Sequence, residues 1–563
     1  MIMSTEKIVE KIVEFNPQTN AEFERAKTKA AASLHLQIPS NRELLQAYHT
    51  LTKLKRITPN DWFAGRMHKA AIRNLSGIAV ITSLVKPYTC PGKCVYCPTE
   101  VRMPKSYIAT EPAAARALRL DFSPSEQMRQ RIISLEQNGH NVDKIEFIIK
   151  GGTWNAYPLR YQYWFMYESF RAANLAKSLP AGKASSKPLA NSLLNEESPL
   201  EDLRAALKYE QLKNETAKHR LIGITLETRP DAIKPKTIAQ MREQGCTRVE
   251  LGLQAPDDAI LKLIVRGHTV EQFRDAMLLL RRAGFKVDLH FMPDLPGTTP
   301  EHDVEMYKSL FTDIGLKPDM VKIYPNTVIK SAEIYQWYLD GRYKPYGVDN
   351  LFNALLQMKL ATPRYCRISR LIRDIPETEI EAGNKITNLR EALSKELTKR
   401  GEVCVCLRCR EIGRQLTNLK EQRTKSKEPI LFVEKYETIG GTEYFLSFED
   451  ANRIAVYGFL RLRLPTKDER QKTNDELFKL ISEIKNCAFV RELHVYGKLV
   501  KIGDHPTIST QHTGLGKSLM KAAENIAHEN DFKKMAVISG VGVRGYYRKL
   551  GYRRVGTYMI KSI

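Results

Sequence analysis

No stretch of the 563-residue chain approaches the roughly 20 consecutive apolar residues that cross a bilayer, which excludes a helical membrane protein. Acidic residues are in deficit. The 64 Asp and Glu face 88 Lys and Arg, a net charge of +24 that implies affinity for a polyanion and says nothing about fold. The N-terminal MIMSTEKIVEKIVEF lacks the apolar core and cleavage site of a signal peptide and reads as an amphipathic helix, so a cytoplasmic chain is expected. Cysteine is scarce, at nine residues, but clustered. In a reducing compartment such clusters point to metal or catalysis before disulfides.

What is present divides the chain into four zones. Residues 1–75 are helical in pattern and basic. From Arg42 to Arg73, the cations Arg42, Lys53, Lys55, Arg56, Arg66, Lys69 and Arg73 meet only Glu43 and Asp61, which suggests a nucleic-acid footprint. In residues 76–360, apolar runs (IAVITSLV, KIEFIIKGG, LIGITLET, TRVELGLQ, KVDLHFMPD, DMVKIYP) alternate with amphipathic helical stretches. That is β/α repetition with six units, too few for a closed eightfold barrel, so a partial (β/α)6 barrel is expected. The segment SLPAGKASSKPLANSLLNEESPLED interrupts it as a surface insertion. Residues 361–429 form a basic connector carrying CVCLRC. Residues 430–563 change to antiparallel-type strands followed by a helix after QHTGLG, an α+β domain.

The motif CPGKCVYC places Cys90, Cys94 and Cys97 on a turn after the first strand. Three thiolates leave one iron of a [4Fe–4S] cube without a protein ligand. The C-x3-C-x2-C spacing ahead of a β/α barrel resembles the radical SAM superfamily, in which S-adenosylmethionine chelates the open iron and is cleaved to a 5′-deoxyadenosyl radical. The KGGTWN turn puts Gly151, Gly152 and Thr153 where backbone can approach the methionine amino group. Glu227, Thr228, Arg229, Gln254, His290 and Asp294, at strand C-termini, are expected to line the same mouth.

In QHTGLG, bare amides at a helix start suit a pyrophosphate. With Gln511 opening it, the turn resembles that of the GNAT acetyltransferases. Gly514 and Gly516 would permit close approach, and Leu515, Gly516, Lys517 and Ser518 would donate amides to coenzyme A. The resemblance implies that a splayed strand, Glu492, Leu493, His494 and Val495, pairs with the pantetheine arm. It also places Tyr547, with Tyr546 as its alternative, near the thioester sulfur.

The stretches VDKIEF, GITLETRPD, GCTRVELGLQ, RGHTV, MPDLPG, IRDIP, RELHVYG and AVISGVGVRGYYRKLGY together resemble the catalytic (third) subunits of Elongator. The resemblance implies a radical SAM barrel joined to a GNAT-type α+β domain. It further implies a tRNA carboxymethyluridine synthase that attaches the acetyl-CoA methyl carbon to carbon 5 of the wobble uridine. Lys144 matches a family lysine that touches acetyl-CoA. Implied partners are the tRNA anticodon arm and a reductant protein, and nothing in the chain requires the other Elongator subunits. Eukaryotic members have a longer spacing between the first two cluster cysteines, which concerns loop shape and not ligand number. Cys404, Cys406 and Cys409 form a second thiolate group, for which Cys366 is a candidate fourth ligand to structural zinc; the plain alternative is packed free thiols. Cys246 and Cys487 read as ordinary packed residues. The rival functions are a protein or histone lysine acetyltransferase with a structural iron–sulfur cluster, using Glu492 or His494 as base, and a non-catalytic tRNA platform.

Overall fold

Two capping boxes start helices near the N-terminus: Thr19 with Glu22 and Ser40 with Glu43 satisfy the first backbone donors of α2 (Asn20–Ser33) and α3 (Asn41–Lys53). These pack with α1 (Ile2–Glu14) and α4 (Asp61–Met67) around Ile8, Val9, Phe23, Leu44, Tyr48 and Phe63. The protein is described here as a computed structural model covering residues 2–67, 77–176, 192–415, 429–471, 475–496 and 514–563.

All six expected strands are present: β1 (Ala79–Leu84), β2 (Lys144–Lys150), β3 (Arg220–Thr228), β4 (Arg248–Gln254), β5 (Lys286–Phe291) and β6 (Met320–Ile323). A seventh, β7 (Arg367–Arg370), lies past residue 360, where the sequence reading ends the barrel. The seven are parallel and ordered β1 to β7 across one open sheet. Period-2 alternation sorts their side chains. Val249, Leu251, Val287 and Leu289 point outward into the apolar core, whereas Arg248, Glu250, Asp288 and His290 line the barrel interior. A βα barrel ordinarily fills its centre with branched apolar side chains. Here the centre is charged, which marks it as a site.

The C-terminal sheet contains β8 (Ile430–Thr438), β9 (Gly441–Glu449), β10 (Val456–Pro465), β11 (Ala488–Val495), β12 (Lys534–Val537), β13 (Arg553–Val555) and β14 (Tyr558–Ser562), in the order β8-β9-β10-β11-β12-β14-β13. Only β11 and β12 pair in parallel, and only from Ala488 to Val490. Beyond Val490 the two strands diverge. That is the splay expected of a GNAT-type domain.

This domain docks on the N-terminal ends of the barrel strands. Lys286, at the start of β5, bonds Glu492 at 3.1 Å, and Arg461 donates to the carbonyls of Asp319 (3.2 Å) and Tyr365 (2.7 Å). At the centre of the joint, Arg491 chelates Asp319 at 2.6 and 2.8 Å and Glu443 at 2.8 and 3.0 Å. Arg281 and Arg463 complete the group, all of it fully buried. Among the described residues no helix is long and apolar enough to cross a membrane.

Candidate active site

The charged interior opens into a cavity of about 2180 Å3 that takes in both ends of the barrel and the face of the C-terminal domain. Cys90, Cys94, Thr153, Glu227, Arg229 and His290 line it at the C-terminal strand ends. Lys144, Arg220, Lys286, Glu492, Gly514 and Tyr547 line it at the other. The two candidate sites therefore face each other through the barrel, not side by side at one mouth.

At the cysteine end, Cys94 is buried and Cys90 and Cys97 are partly open to the cavity. The Cys97 thiol donates to Cys94, and the Arg266 guanidinium lies 3.5 Å from the Cys94 sulfur. Together they outweigh burial and lower Cys94 toward the thiolate. Thr153 sits 3.6 Å from the Cys90 sulfur. Gly151 (φ +138°) occupies backbone space closed to other residues, and a Cβ there would strike Val85 at 2.1 Å. Gly152 and Thr153 line the cavity beside it. Arg229 pairs with Asp231 at 2.9 Å and keeps Nη1 buried without a partner. Three soft donors on one loop, a cation that favours thiolate and an orphaned guanidinium nitrogen fit a [4Fe–4S] cluster with a bound cosubstrate that carries a carboxylate.

Glu227 is more constrained than its sequence position suggests. It accepts from Tyr107 at 2.8 Å and lies 3.7 Å from Lys150. Burial opposes its charge, but Lys150, His290 and Lys322 overcome this and hold its carboxyl at about 2. Lys150 and Lys322 both also contact Glu250, whose Oε2 is 3.4 Å from His290 Nε2. Arg266, Lys150, Glu250 and Lys322 had no assigned role in the sequence reading. Their signal was charge at alternate positions of apolar strands, and RGHTV was noted only as part of a resemblance. Thr228 bonds Asn155 at 2.8 Å, and Gln254 faces the cavity. Asp294 does not: it is buried against Tyr343 and Tyr346, in a left-handed turn (φ +66°).

At the opposite end, Lys144 is lowered from its usual range by burial, with Asp143 opposing. Glu492 is held at about 2, since Lys286 and Arg461 (2.9 Å) more than offset its burial. Leu493 and Val495 line the cavity, and His494 stacks on Phe459 with ring centroids 5.9 Å apart. Gly514 caps the helix Leu515–Glu529 with φ +92°. Lys517 and Ser518 do not keep free amides, because both donate to the Gly514 carbonyl (2.9 and 3.1 Å) as the first helical turn closes. Leu515 and Gly516 are the open donors of that turn among the described residues; Gln511 lies outside them. The Tyr546 hydroxyl lies 2.7 Å from where a Cβ on Gly516 would fall. Tyr547 is buried and borders the cavity, and burial, then the neighbouring Tyr546 and Glu492, keep its phenol protonated far above neutral pH.

The second thiol group brings the Cys404, Cys406 and Cys409 sulfurs within 4.8 Å of one another. Cys366 does not join it. Its backbone carbonyl accepts from Leu407 (2.9 Å), and its buried thiol lies outside the 4.8 Å group although near enough to Cys406 to feel its charge. Lys359 adjoins the group, with Nζ 3.9 Å from Cys409 and its carbonyl 3.3 Å from Cys404. Of the basic zones, Arg56 is tied to Glu10 at 2.7 Å, and Lys53 and Lys55 are exposed; Lys69 and Arg73 lie outside the described residues. Eight cations and no acid lie between Phe532 and Ile563, yet acids outside that stretch pair with three of the cations. Glu215 holds Arg544 (3.2 Å) and Arg548 (2.6 Å), and Glu524 holds Lys561 (2.9 Å).

Two family models match the chain: the Radical SAM superfamily over residues 187–310 and the Radical_SAM C-terminal domain over residues 318–399. The open parallel sheet and the three-thiol loop at its C-terminal edge thus define a radical SAM protein. The chain is 41% identical over 534 residues to the tRNA uridine(34) acetyltransferase of Methanocaldococcus infernus, covering 93% of this chain and 92% of that one. It is 34% identical over 580 residues to Elongator complex protein 3 of Homo sapiens, covering 100% and 97%. The solved structure of the archaeal Methanocaldococcus infernus Elp3 with an N-terminal deletion superposes with a TM-score of 0.70 at 38% identity, over 87% of this chain and 100% of that one. The chain belongs to the family of Elongator complex protein 3 and the tRNA uridine(34) acetyltransferases.

Proposed function

We propose that the chain modifies uridine 34 of tRNA, the base that its relatives' names specify, by joining the methyl carbon of acetyl-CoA to carbon 5 of the uracil to leave a carboxymethyl group. One observation carries this reading: a single cavity has three thiols at one end and a helix-capping glycine turn, a splayed strand and Tyr547 at the other. An acetyltransferase alone needs no such thiols, and a radical enzyme alone needs no such turn.

Cys90, Cys94 and Cys97 would hold the cluster. When bound, cluster and S-adenosylmethionine supply a 5′-deoxyadenosyl radical able to take hydrogen from an unreactive methyl group. Gly151, Gly152 and Thr153 would contact the amino end of the cosubstrate. Glu227, ionised at any physiological pH, would accept from its ribose hydroxyls, and Arg229 Nη1 would donate to its carboxylate. The amides of Leu515 and Gly516 would bind the coenzyme A pyrophosphate, and the strand from Glu492 to Val495, beyond its pairing with β12, would run along the pantetheine arm. Lys144 would hold the thioester carbonyl at the foot of the barrel. Tyr547, protonated at neutral pH, would donate to the departing thiolate as water hydrolyses the thioester. Cys404, Cys406 and Cys409 would hold zinc, which would fix the connector.

A lysine acetyltransferase would need a base near the acyl carbon. Glu492, held at about 2 by Lys286 and Arg461, is a weak base, which leaves His494 as the base of that reading. The test is anaerobic incubation of the reconstituted full-length protein with S-adenosylmethionine, acetyl-CoA and tRNA. Formation of 5′-deoxyadenosine should require all three, together with an electron donor. Acetylated lysine formed without S-adenosylmethionine would overturn the reading.

A further inference from the structure

Four arginines, Arg367, Arg390, Arg408 and Arg414, share one stretch of the cavity wall with a single carboxylate, Glu411, set among them. That carboxylate is already engaged at both oxygens. Arg367 grips Oε1 at 2.7 and 2.9 Å, and Arg414 takes Oε2 at 3.0 Å. The next acid along the wall, Glu391, pairs with Lys395 at 3.0 Å. Among the described residues Arg390 finds only a backbone carbonyl, that of Ile368 at 3.0 Å, and its Nη1 is buried without a partner. Arg408 Nε is likewise buried without a partner. Burying guanidinium donors without an acceptor is costly, and it is doubly so where the surrounding charge has the same sign.

We infer that Arg390 and Arg408 form a phosphate-binding site, and that its ligand is a backbone phosphodiester of the RNA substrate. The planar guanidinium fork matches a phosphate oxyanion, and two guanidiniums on one wall, each with an unsatisfied buried donor, supply both charge and direction. The phosphates of coenzyme A are the other source of this chemistry on the page. Its pyrophosphate would take the Leu515–Gly516 amides at the start of the helix in the C-terminal domain, and the coenzyme A titration below tests its 3′-phosphate. The inference also gives the second thiol group a task. Arg408 stands between Cys406 and Cys409, in a turn closed by Cys409 N–H to the Cys406 carbonyl (3.0 Å) and anchored by Leu407 N–H on Cys366. Fixing that turn fixes where Arg408 points.

This inference rests on the tRNA reading above, and the experiment separates the two. Full-length wild type, Arg390→Gln, Arg408→Gln and the double variant are titrated with transcribed tRNA between about 50 and 200 mM salt. Coenzyme A alone is titrated in parallel, and thermal melting is recorded for each protein. The double variant should bind tRNA about tenfold more weakly, with the log–log salt slope reduced by about 1. Coenzyme A affinity and melting temperature should be unchanged. Arg408→Lys should recover the slope, since it restores the charge, but only part of the affinity, since it lacks the fork. Wild-type tRNA affinity and slope in the double variant would overturn the inference and leave the tRNA reading standing. Lost coenzyme A affinity with intact tRNA binding would overturn it in favour of the cofactor's phosphates. A wild-type protein that binds no tRNA would overturn both.

Discussion

Replacing Asp319 by Asn removes the charge at the hub of the joint between the two sheets while keeping its shape. In the native protein this carboxylate takes two bonds from Arg491 (2.6 and 2.8 Å), one from Arg281 (3.3 Å) and one from the backbone N–H of Val287 (3.0 Å). Arg461 stands 3.8 Å away. Glu443 alone would then face Arg281, Arg463 and Arg491 in a site closed to water. Breaking one side of such a buried group costs about 3–5 kcal/mol, against a typical total stability of about 5–15 kcal/mol. The asparagine can still accept from Val287, which places the expected loss near the lower figure. Urea unfolding at neutral pH, followed by a probe in the C-terminal sheet, measures it. The three guanidiniums overcome burial and hold Asp319 well below the usual carboxylate range. Its contribution is therefore present above the unfolded-state value near 3.9 and lost only as pH falls through the folded value. The wild-type minus variant difference should accordingly be flat from about pH 5 to 8. A loss under about 1 kcal/mol would refute the account of the joint, because it would match a solvent-exposed pair.

Three further outcomes are expected. Cys90→Ala, Cys94→Ala and Cys97→Ala should each abolish the visible absorbance of the reconstituted cluster and S-adenosylmethionine cleavage, since the loop offers no spare ligand; retained cleavage in any one would remove the radical assignment. Tyr547→Phe should slow tRNA-dependent release of coenzyme A about 100-fold with an unchanged melting temperature, whereas a lower melting temperature with normal turnover would assign the ring to packing. Burial raises Asp294 to about 7 and Asp303 to about 6, so their contribution is full below the unfolded-state value near 3.9 and lost as pH rises through those folded values. Melting temperature should fall between about pH 5 and 8 by an amount that Asp303→Asn reduces, and an identical pH profile in that variant would show that the pair is not the cause.

The strands were legible because their outward faces are apolar with period 2, and the cysteine and glycine turns because each offers a spacing that chemistry requires. The charged inward positions were harder to interpret. Lys150, Glu250 and Lys322 look like the solvent face of an ordinary half-buried strand until the sheet curls them toward one another. β7 was invisible because RISR is four residues long and half charged, below the length at which alternation speaks. Local charge counting could not show the partner of Arg544 and Arg548, because it is Glu215, more than 300 residues earlier in the chain. Cys366 was close enough in the connector to suggest a ligand, but its thiol stays outside the 4.8 Å group of Cys404, Cys406 and Cys409. The sequence spacing could not reveal that the two reactive ends oppose each other through the barrel, because that depends on which end of the strands the second domain covers.

The central claim is that chemistry started at the cysteine end acts on the acetyl methyl group presented from the other. Acetyl-CoA carrying a trideuterated methyl group tests it directly, in an anaerobic reaction with the reconstituted protein, S-adenosylmethionine, an electron donor and tRNA. The account predicts one deuterium in the 5′-deoxyadenosine and a carboxymethyl group on the wobble uridine that retains the label. Unlabelled 5′-deoxyadenosine, or label recovered only in free acetate and acetylated lysine, would contradict it.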